Sequence, residues 1–462
     1  LAYLAGFTRG SLVNKVRDYR FIDQVLKTVL RAPAVDVETK EVIYDDDGNQ
    51  EYEDGLASMC CDDGRVRTYI YQTKETGRWS SARPNLQNIS KQRDPDYKRL
   101  LGDEYKYSLR SVLKAAPGHV LIEADYVGAE LFGMAIMSGD ENMIDHAMRN
   151  QLPEDHENFY DIHSTVACFA FKLDCAPTKS GLAAIGKKSI RIVAKSVIFG
   201  IAYGRGAKAI AVAAKEQGID ITVDEAQAVI DAIFQMYPRL EPFFAECRAR
   251  ATGTFVDPDT GPVEHNYLCN CFGRFRRFPD SSNDRSLAAE FERQAMNYPI
   301  QSMIASAMSR AIAYLHDYKM RMLKKHNKDL FNIVLQIHDA ILFEVPYKHV
   351  KHFCEYVLPT YMRDSVEIIP TNLDGMPTGT QGYKLGLEAD VMDHWGEVIS
   401  HEKAEKHKLP TGTGTVTGCI VNYSTGKKVR PQRASITKAS KNRPRGDLTA
   451  PDFSKFKKKR KK

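Results

Sequence analysis

Net positive charge is absent from most of this chain, although the total hides it. The 462 residues carry 65 Lys and Arg against 59 Asp and Glu, a formal net charge of +6. Residues 401–462 hold 18 basic and 4 acidic side chains, a net of +14, which leaves the first 400 residues at −8. Cationic character is therefore an appendage. Such a tail is an electrostatic foothold for nucleic acid or, just as ordinarily, a solubilising or address-bearing extension. No apolar run approaches the roughly 20 residues of a membrane-spanning helix, so no membrane partner is expected. Nine cysteines are scattered without one Cys-x-x-Cys pair. That excludes the usual four-ligand zinc or dithiol pattern and points to a reducing, intracellular setting. Cys60–Cys61 and Cys269 with Cys271 lack the second matched pair a zinc site requires. The chain opens Leu-Ala-Tyr, with neither Met nor a signal-peptide pattern, as a fragment or processed product would. Its length suits two or three domains at about 150 residues each.

What the chain does have is one stretch with an unusual period, SIRIVAKSVIFGIAYG at Ser189–Gly204. Arg191, Lys195, Phe199 and Tyr203 recur every fourth residue. On a helix of about 3.6 residues per turn this is a slowly rotating stripe, two cations followed by two aromatics. Cations one turn apart can hold a polyphosphate, and an aromatic one turn further on can lie against a base or sugar. The plainer reading is an amphipathic helix with solvated cations and a core of Val193, Val197, Ile198 and Ile201. The neighbouring segments decide between them.

Residues 1–32 have helical periodicity ending at Ala32-Pro33. Asp36-x-Glu38 invites a metal-dependent nuclease reading, but no further acidic motif lies at a fitting distance and an acidic, Gly-containing run follows. Glu75–Ser90 is rich in amides, hydroxyls and arginine, a composition suited to hydrogen bonding along a groove. His119–Asp125 reads as a buried strand with helical character resuming at Gly128, so Asp125 lies at a strand-to-helix junction. Residues 140–290 are mostly helical, and Phe291–Tyr314 is a long helix in which Arg293, Asn297 and Gln301 recur every four residues and Pro299 is expected to cause a kink. Asn332–Val345 is two apolar strands around a two-residue tip, His338-Asp339. Beyond Trp395 the pattern fades into Thr/Gly-rich and then basic sequence, read as flexible.

Two carboxylates, one ending a strand and one at a hairpin tip, suit a pair of divalent ions about 3.5–4 Å apart that serve phosphoryl transfer. Hard oxygen donors favour Mg²⁺. Five ordered blocks carry a resemblance at this point: TGRWSSARPNLQNIS, DYVGAEL, RIVAKSVIFGIAYG, ERQAMNYPIQ and QIHDAILFE, framing about residues 70–400. The chain resembles the polymerase region of family A DNA polymerases, the bacterial DNA polymerase I type that phages also use. The resemblance implies an α+β right hand with an antiparallel palm sheet, helical fingers and part of a helical thumb. It implies a thumb base at residues 1–70, palm at 71–139 and 291–400, fingers at 140–290, and a flexible basic tail at 401–462.

The same resemblance implies a template-directed DNA polymerase using deoxynucleoside triphosphates, primer–template DNA and two Mg²⁺ ions, for which Mn²⁺ can substitute, in replication or repair. A monomer working with replication accessory proteins, in the cytoplasm of a bacterial host if phage-encoded, is the implied setting. Asp125 and Asp339 would be catalytic and, with the Tyr126 backbone, hold the metals. Arg191, Lys195 and His163 would hold the triphosphate, Phe199 would lie by the sugar and Tyr203 by the templating position. Glu130 would be the gate that denies space to a ribose 2′-hydroxyl. Arg78, Asn85, Gln87, Arg293, Asn297, Gln301 and His338 would contact primer–template, several from the minor-groove side, where acceptors are similar for all base pairs.

Several positions depart from the family pattern. Val127, Gly128, Ala129 and Phe132 replace polar or bulky residues around Glu130, which is expected to loosen its bracing. Ile192 and Ile198 replace an arginine and an asparagine, and Ala340 stands where a third carboxylate is usual. Strand alternation puts Glu123 on the same side as Asp125, a candidate to restore that charge, against the plainer reading of a solvated strand carboxylate. A catalytically silent primer–template-binding protein and a single-subunit RNA polymerase are the competing readings. Glu130 and the NLQN block favour deoxynucleotides.

Overall fold

The computed structural model describes residues 109–425, apart from 217–218, 255, 258–260, 263–265 and 282, together with residues 59–89 and short pieces between 31 and 56. Two short antiparallel strands, β1 (Tyr69–Tyr71) and β2 (Ser80–Ala82), precede the long strand β3 (His119–Tyr126). Helices α1 (Ala129–Ser138), α2 (Glu141–Asn150), α3 (Ile162–Ala170), α4 (Lys179–Ala184), α5 (Lys188–Ala202), α6 (Ala207–Glu216), α7 (Val223–Met236) and α8 (Leu240–Ala251) follow. A small hairpin, β4 (Tyr267–Cys269) with β5 (Phe275–Arg277), leads to α9 (Arg285–His326). The chain then returns through β6 (Asn332–Ile337), β7 (Ala340–Pro346), β8 (Leu387–His394), β9 (Glu397–Val398), α10 (His401–Lys406), β10 (Thr413–Val416) and β11 (Cys419–Asn422).

The larger strands form one seven-stranded sheet in the order β6-β7-β3-β8-β11-β10, with β9 paired to β8. Because side chains alternate along a strand, β3 serves two cores. Val120, Ile122, Ala124 and Tyr126 join Ile341, Phe343, Val345, Leu387 and Val391 in the main helix-covered core. Burying each Val or Ile there stabilises the fold by roughly 1.5–3 kcal/mol. On the opposite face Leu121, Leu342, Met392 and Trp395 form a smaller core with Leu86 and Ile89. The face with the smaller core is also the face of Asp125.

Helix α9 is 42 residues long, about 63 Å at 1.5 Å per residue. The Asp284 carboxylate caps it by accepting the Ser286 and Leu287 N–H groups at 2.9 and 3.0 Å, and Lys324, Lys325 and His326 complement the dipole of its last turn. It is a single helix through Pro299. That residue is buried between Tyr298 and Ile300, and the packing of this stretch offsets the backbone bond proline cannot make.

Three expectations change. Arg31–Pro33 is a strand paired with Tyr52–Asp54, not a helix end, because its extended backbone finds a partner the local pattern does not reveal; residues 1–30 and Asp36-x-Glu38 lie outside the described residues. The palm sheet is not wholly antiparallel, since β8 and β11 run parallel with Leu387 opposite Cys419. A connection through α10 and the β10–β11 hairpin supplies the crossover a parallel return needs. Nor does a flexible tail begin at 401. Cys419, Val421 and Tyr423 are buried in the main core, so the folded sheet extends to residue 425. The Thr/Gly-rich composition hid a hairpin whose turn has Gly418 at φ +72°.

Candidate active site

Strand register brings the two predicted carboxylates together. Asp125 lies opposite Ala340 on β7, and the residue before Ala340 is Asp339. The Tyr126 N–H donates to the Asp339 carbonyl at 3.2 Å, tying the end of β3 to the hairpin tip. That tip is two residues, with Ile337 paired to Ala340 and His338 in the left-handed region at φ +54°. Asp125 and Asp339 are half-buried and His338 is exposed. The Tyr126 side chain faces away, its hydroxyl donating to the Met362 carbonyl at 2.7 Å, so only its backbone oxygen is available to a metal.

Four residues after Tyr126, Glu130 stands in the first turn of α1. Its Oε1 is 3.5 Å from Arg78 Nη2 and accepts the Tyr203 hydroxyl at 3.4 Å; Gln301 Nε2 in turn donates to the Tyr203 oxygen at 2.7 Å. These contacts connect the first turn of α1, the end of α5, the middle of α9 and the segment before β2. Glu130 is thus held by Arg78 and Tyr203, with Gln301 behind Tyr203, although the residues beside it are apolar and both contacts at Oε1 are at the long end of the range.

The stripe on α5 is also present, in an unequal form. Lys195 is exposed, its Nζ 5.9 Å from the Phe199 ring centre. Arg191 is engaged: Nε and Nη2 donate to Oδ2 and Oδ1 of Asp161 at 2.9 and 3.1 Å. His163, in the first turn of α3, is 8% exposed and its ring lies 6.0 Å from Phe199. Burial, reinforced by the charge of Arg191, lowers the His163 pKa to about 4, so it is neutral at physiological pH.

Other candidates divide. Arg293 and Asn85 are exposed and Asn297 is half-buried. Gln87 is 6% exposed and is tied inward, donating to the Gln336 carbonyl at 2.8 Å and accepting the Ser81 N–H at 3.2 Å. It shapes the groove wall instead of facing solvent. Glu123 does share the face of Asp125, but it is not solvated. It is 5% exposed, accepts Trp395 Nε1 at 2.6 Å and pairs with Arg110 Nη1 at 3.3 Å, while Arg110 stacks 4.2 Å above the Trp395 ring. Trp395 is 272 residues away in sequence. Nothing local announces this triad. Asp161 was also missed, although an Asp three residues before Ser164 at a helix start is a capping signal.

Among the described residues no three His, Cys, Asp or Glu side chains form a complete metal cluster. Two half-buried carboxylates and a backbone carbonyl fit a hard cation that takes its remaining ligands from water and substrate phosphates, as Mg²⁺ does in phosphoryl-transfer sites.

A mixed sheet bearing adjacent carboxylates at a strand end and hairpin tip, faced by a cationic helix, defines the palm and fingers of a right-hand polymerase fold. The chain belongs to DNA polymerase family A, whose family model matches residues 41–374. It is 32% identical to DNA polymerase I of Caldicellulosiruptor bescii over 66% of this chain and 30% of that protein. With the thermostable DNA polymerase I of Thermus filiformis the identity is 34% over 61% of this chain and 28% of that protein. The POL domain of Pol1 from M. smegmatis, solved in complex with DNA primer-template and dNTP, matches with a TM-score of 0.53 and 25% identity over 74% of this chain and 50% of that one. This chain therefore spans about 30% of the length of the C. bescii protein.

Proposed function

We propose that the chain is a template-directed DNA polymerase that adds deoxynucleotides to a primer 3′-hydroxyl and releases pyrophosphate, in replication or repair. The observation that carries this is the joining of Asp125 and Asp339 by sheet register, in a fold where Glu130 and Tyr203 link that strand end to the helix of Arg191 and Lys195. Palm residues lie in 71–139 and 291–425 and the fingers in 140–290.

Asp125, Asp339 and the Tyr126 carbonyl would hold two Mg²⁺ ions, which when bound lower the pKa of the attacking hydroxyl and neutralise the leaving oxygens. The two carboxylates keep their separation because a backbone ladder sets it, so they are pre-organised before substrate arrives. Lys195 and the outward edge of Arg191 receive the triphosphate from the fingers side. His163, held neutral, offers a ring N–H without adding a third charge. Phe199 supplies an apolar surface beside the sugar and Tyr203 one beside the templating position. Glu130, fixed by Arg78 and Tyr203, fills the space a 2′-hydroxyl would need. Arg78, Arg293, Asn297 and His338 line the path of primer–template, with Gln301 acting through Tyr203.

Primer extension on a defined template with Mg²⁺, offering dNTPs and rNTPs separately beside an Asp339→Asn control, tests this. Extension with dNTPs that vanishes in the control is expected, and Glu130→Ala should raise rNTP use about 10- to 100-fold, the size of a modest steric discrimination. Tight primer–template binding with no extension would make the chain a binder instead, and efficient extension with rNTPs by the unaltered chain would make it an RNA polymerase.

A further inference from the structure

The two cations of α5 sit one turn apart yet are treated differently. Lys195 is exposed, whereas both atoms along the side edge of the Arg191 guanidinium, Nε and Nη2, are taken by Asp161 at 2.9 and 3.1 Å. The side chain of Asp161 is only 3% exposed. Its oxygens also accept the Ser164 N–H at 3.1 Å and the Ser164 hydroxyl at 2.7 Å, which caps α3. Four donors occupy the four lone-pair directions of one carboxylate. Burial alone would raise the pKa of this group, but the hydrogen bonds from Arg191 and Ser164 outweigh it and hold the pKa below its usual value. Asp161 is an anion at neutral pH, anchored to one helix and gripping the cation of another.

A guanidinium is a rigid planar fork. With its side edge fixed on Asp161, the end edge formed by Nη1 and the second Nη2 hydrogen points the other way, still able to make a bidentate contact with phosphate. An arginine on a free stem would instead lose several rotatable bonds at the moment of binding. We propose that Asp161 is a positioning residue for the incoming nucleotide, holding Arg191 in the orientation that receives the triphosphate. It acts through Arg191 and touches no substrate. This rests on the polymerase reading above.

The test is steady-state primer extension by the full chain with dNTP as the varied substrate. Asp161→Asn keeps a capping side chain but cannot be a fourfold acceptor with full charge, and Asp161→Ser keeps only the cap; melting temperatures confirm that each variant is folded. The expected result is an apparent dNTP KM about tenfold higher with kcat changed far less, the loss of one charge-assisted pairing. Asp161→Glu, which retains the charge, should recover part of the loss. In an Arg191→Ala background Asp161→Asn should raise KM no further, whereas Lys195→Ala should still do so. An unchanged KM in both folded Asp161 variants, or equal effects with and without Arg191, would overturn the proposal. Absence of dNTP extension by the unaltered chain would instead remove the polymerase reading on which it stands.

Discussion

Palm and fingers build their parts of this site by different means. In the palm, Asp125 and Asp339 are fixed by strand register and one backbone hydrogen bond between Tyr126 and Asp339. In the fingers, Arg191, His163 and Lys195 are placed by side chains on helices, with Asp161 holding one and burial neutralising another. A sheet ladder has few alternatives, whereas a guanidinium held along one edge by a carboxylate keeps its other edge open to a ligand. The palm is thus suited to constant geometry, and the fingers to presenting charge in a fixed orientation.

Substitutions should separate the two regions. Asp125→Asn is expected to cost on the order of 10³-fold in kcat, several kcal/mol, with little change in melting temperature or dNTP KM. A KM change of the same size would mean that the palm carboxylates serve binding as the fingers do.

The next largest effect lies behind the site. Glu123→Gln leaves Arg110 with a weakened partner in the smaller core, and breaking such a buried pair typically costs about 3–5 kcal/mol. Denaturant unfolding should report that loss while the metal-concentration dependence of extension stays as in the unaltered chain. A shifted metal dependence would return Glu123 to the metal site.

Acid should act on the fingers first. His163 in the folded chain titrates near 4, below its ordinary 6.5. Between those values the unfolded chain binds a proton that the folded chain refuses, so stability is full above pH 6.5 and falls as pH drops towards 4, by up to about 3 kcal/mol. The lowered pKa of Asp161 adds a loss of the same sign at more acidic pH. Melting temperatures from pH 7 to 4.5 should decline less steeply in His163→Gln than in the unaltered chain.

The smallest effect belongs to the basic extension. Because β10 and β11 belong to the palm sheet, the informative truncation removes 426–462, not 401–462. It should leave kcat intact, shorten products and lessen the salt dependence of DNA binding, by about 0.9 in the log–log slope for each phosphate the tail had neutralised. An unchanged slope would assign the tail to another purpose.

The candidate site residues were legible because their signals are local. A strand ending in Asp125, a two-residue tip carrying Asp339, and cations four apart on a helix each declare themselves within about ten residues. The sheet's parallel pair and the folded hairpin up to residue 425 were not legible, since β11 takes its place from contact with β8, more than twenty residues earlier. Glu123 shows the limit most clearly. Alternation correctly gave its side of the strand, but only folding decided that Trp395 and Arg110 would reach it. Sequence alone determined the residue types of the candidate site, their spacing and the elements that carry them, because helical and strand periods are properties of neighbouring residues. Tertiary structure alone decided which charges are exposed and which are paired, as with Lys195 and Arg191, because burial and ion pairing depend on residues distant in the chain.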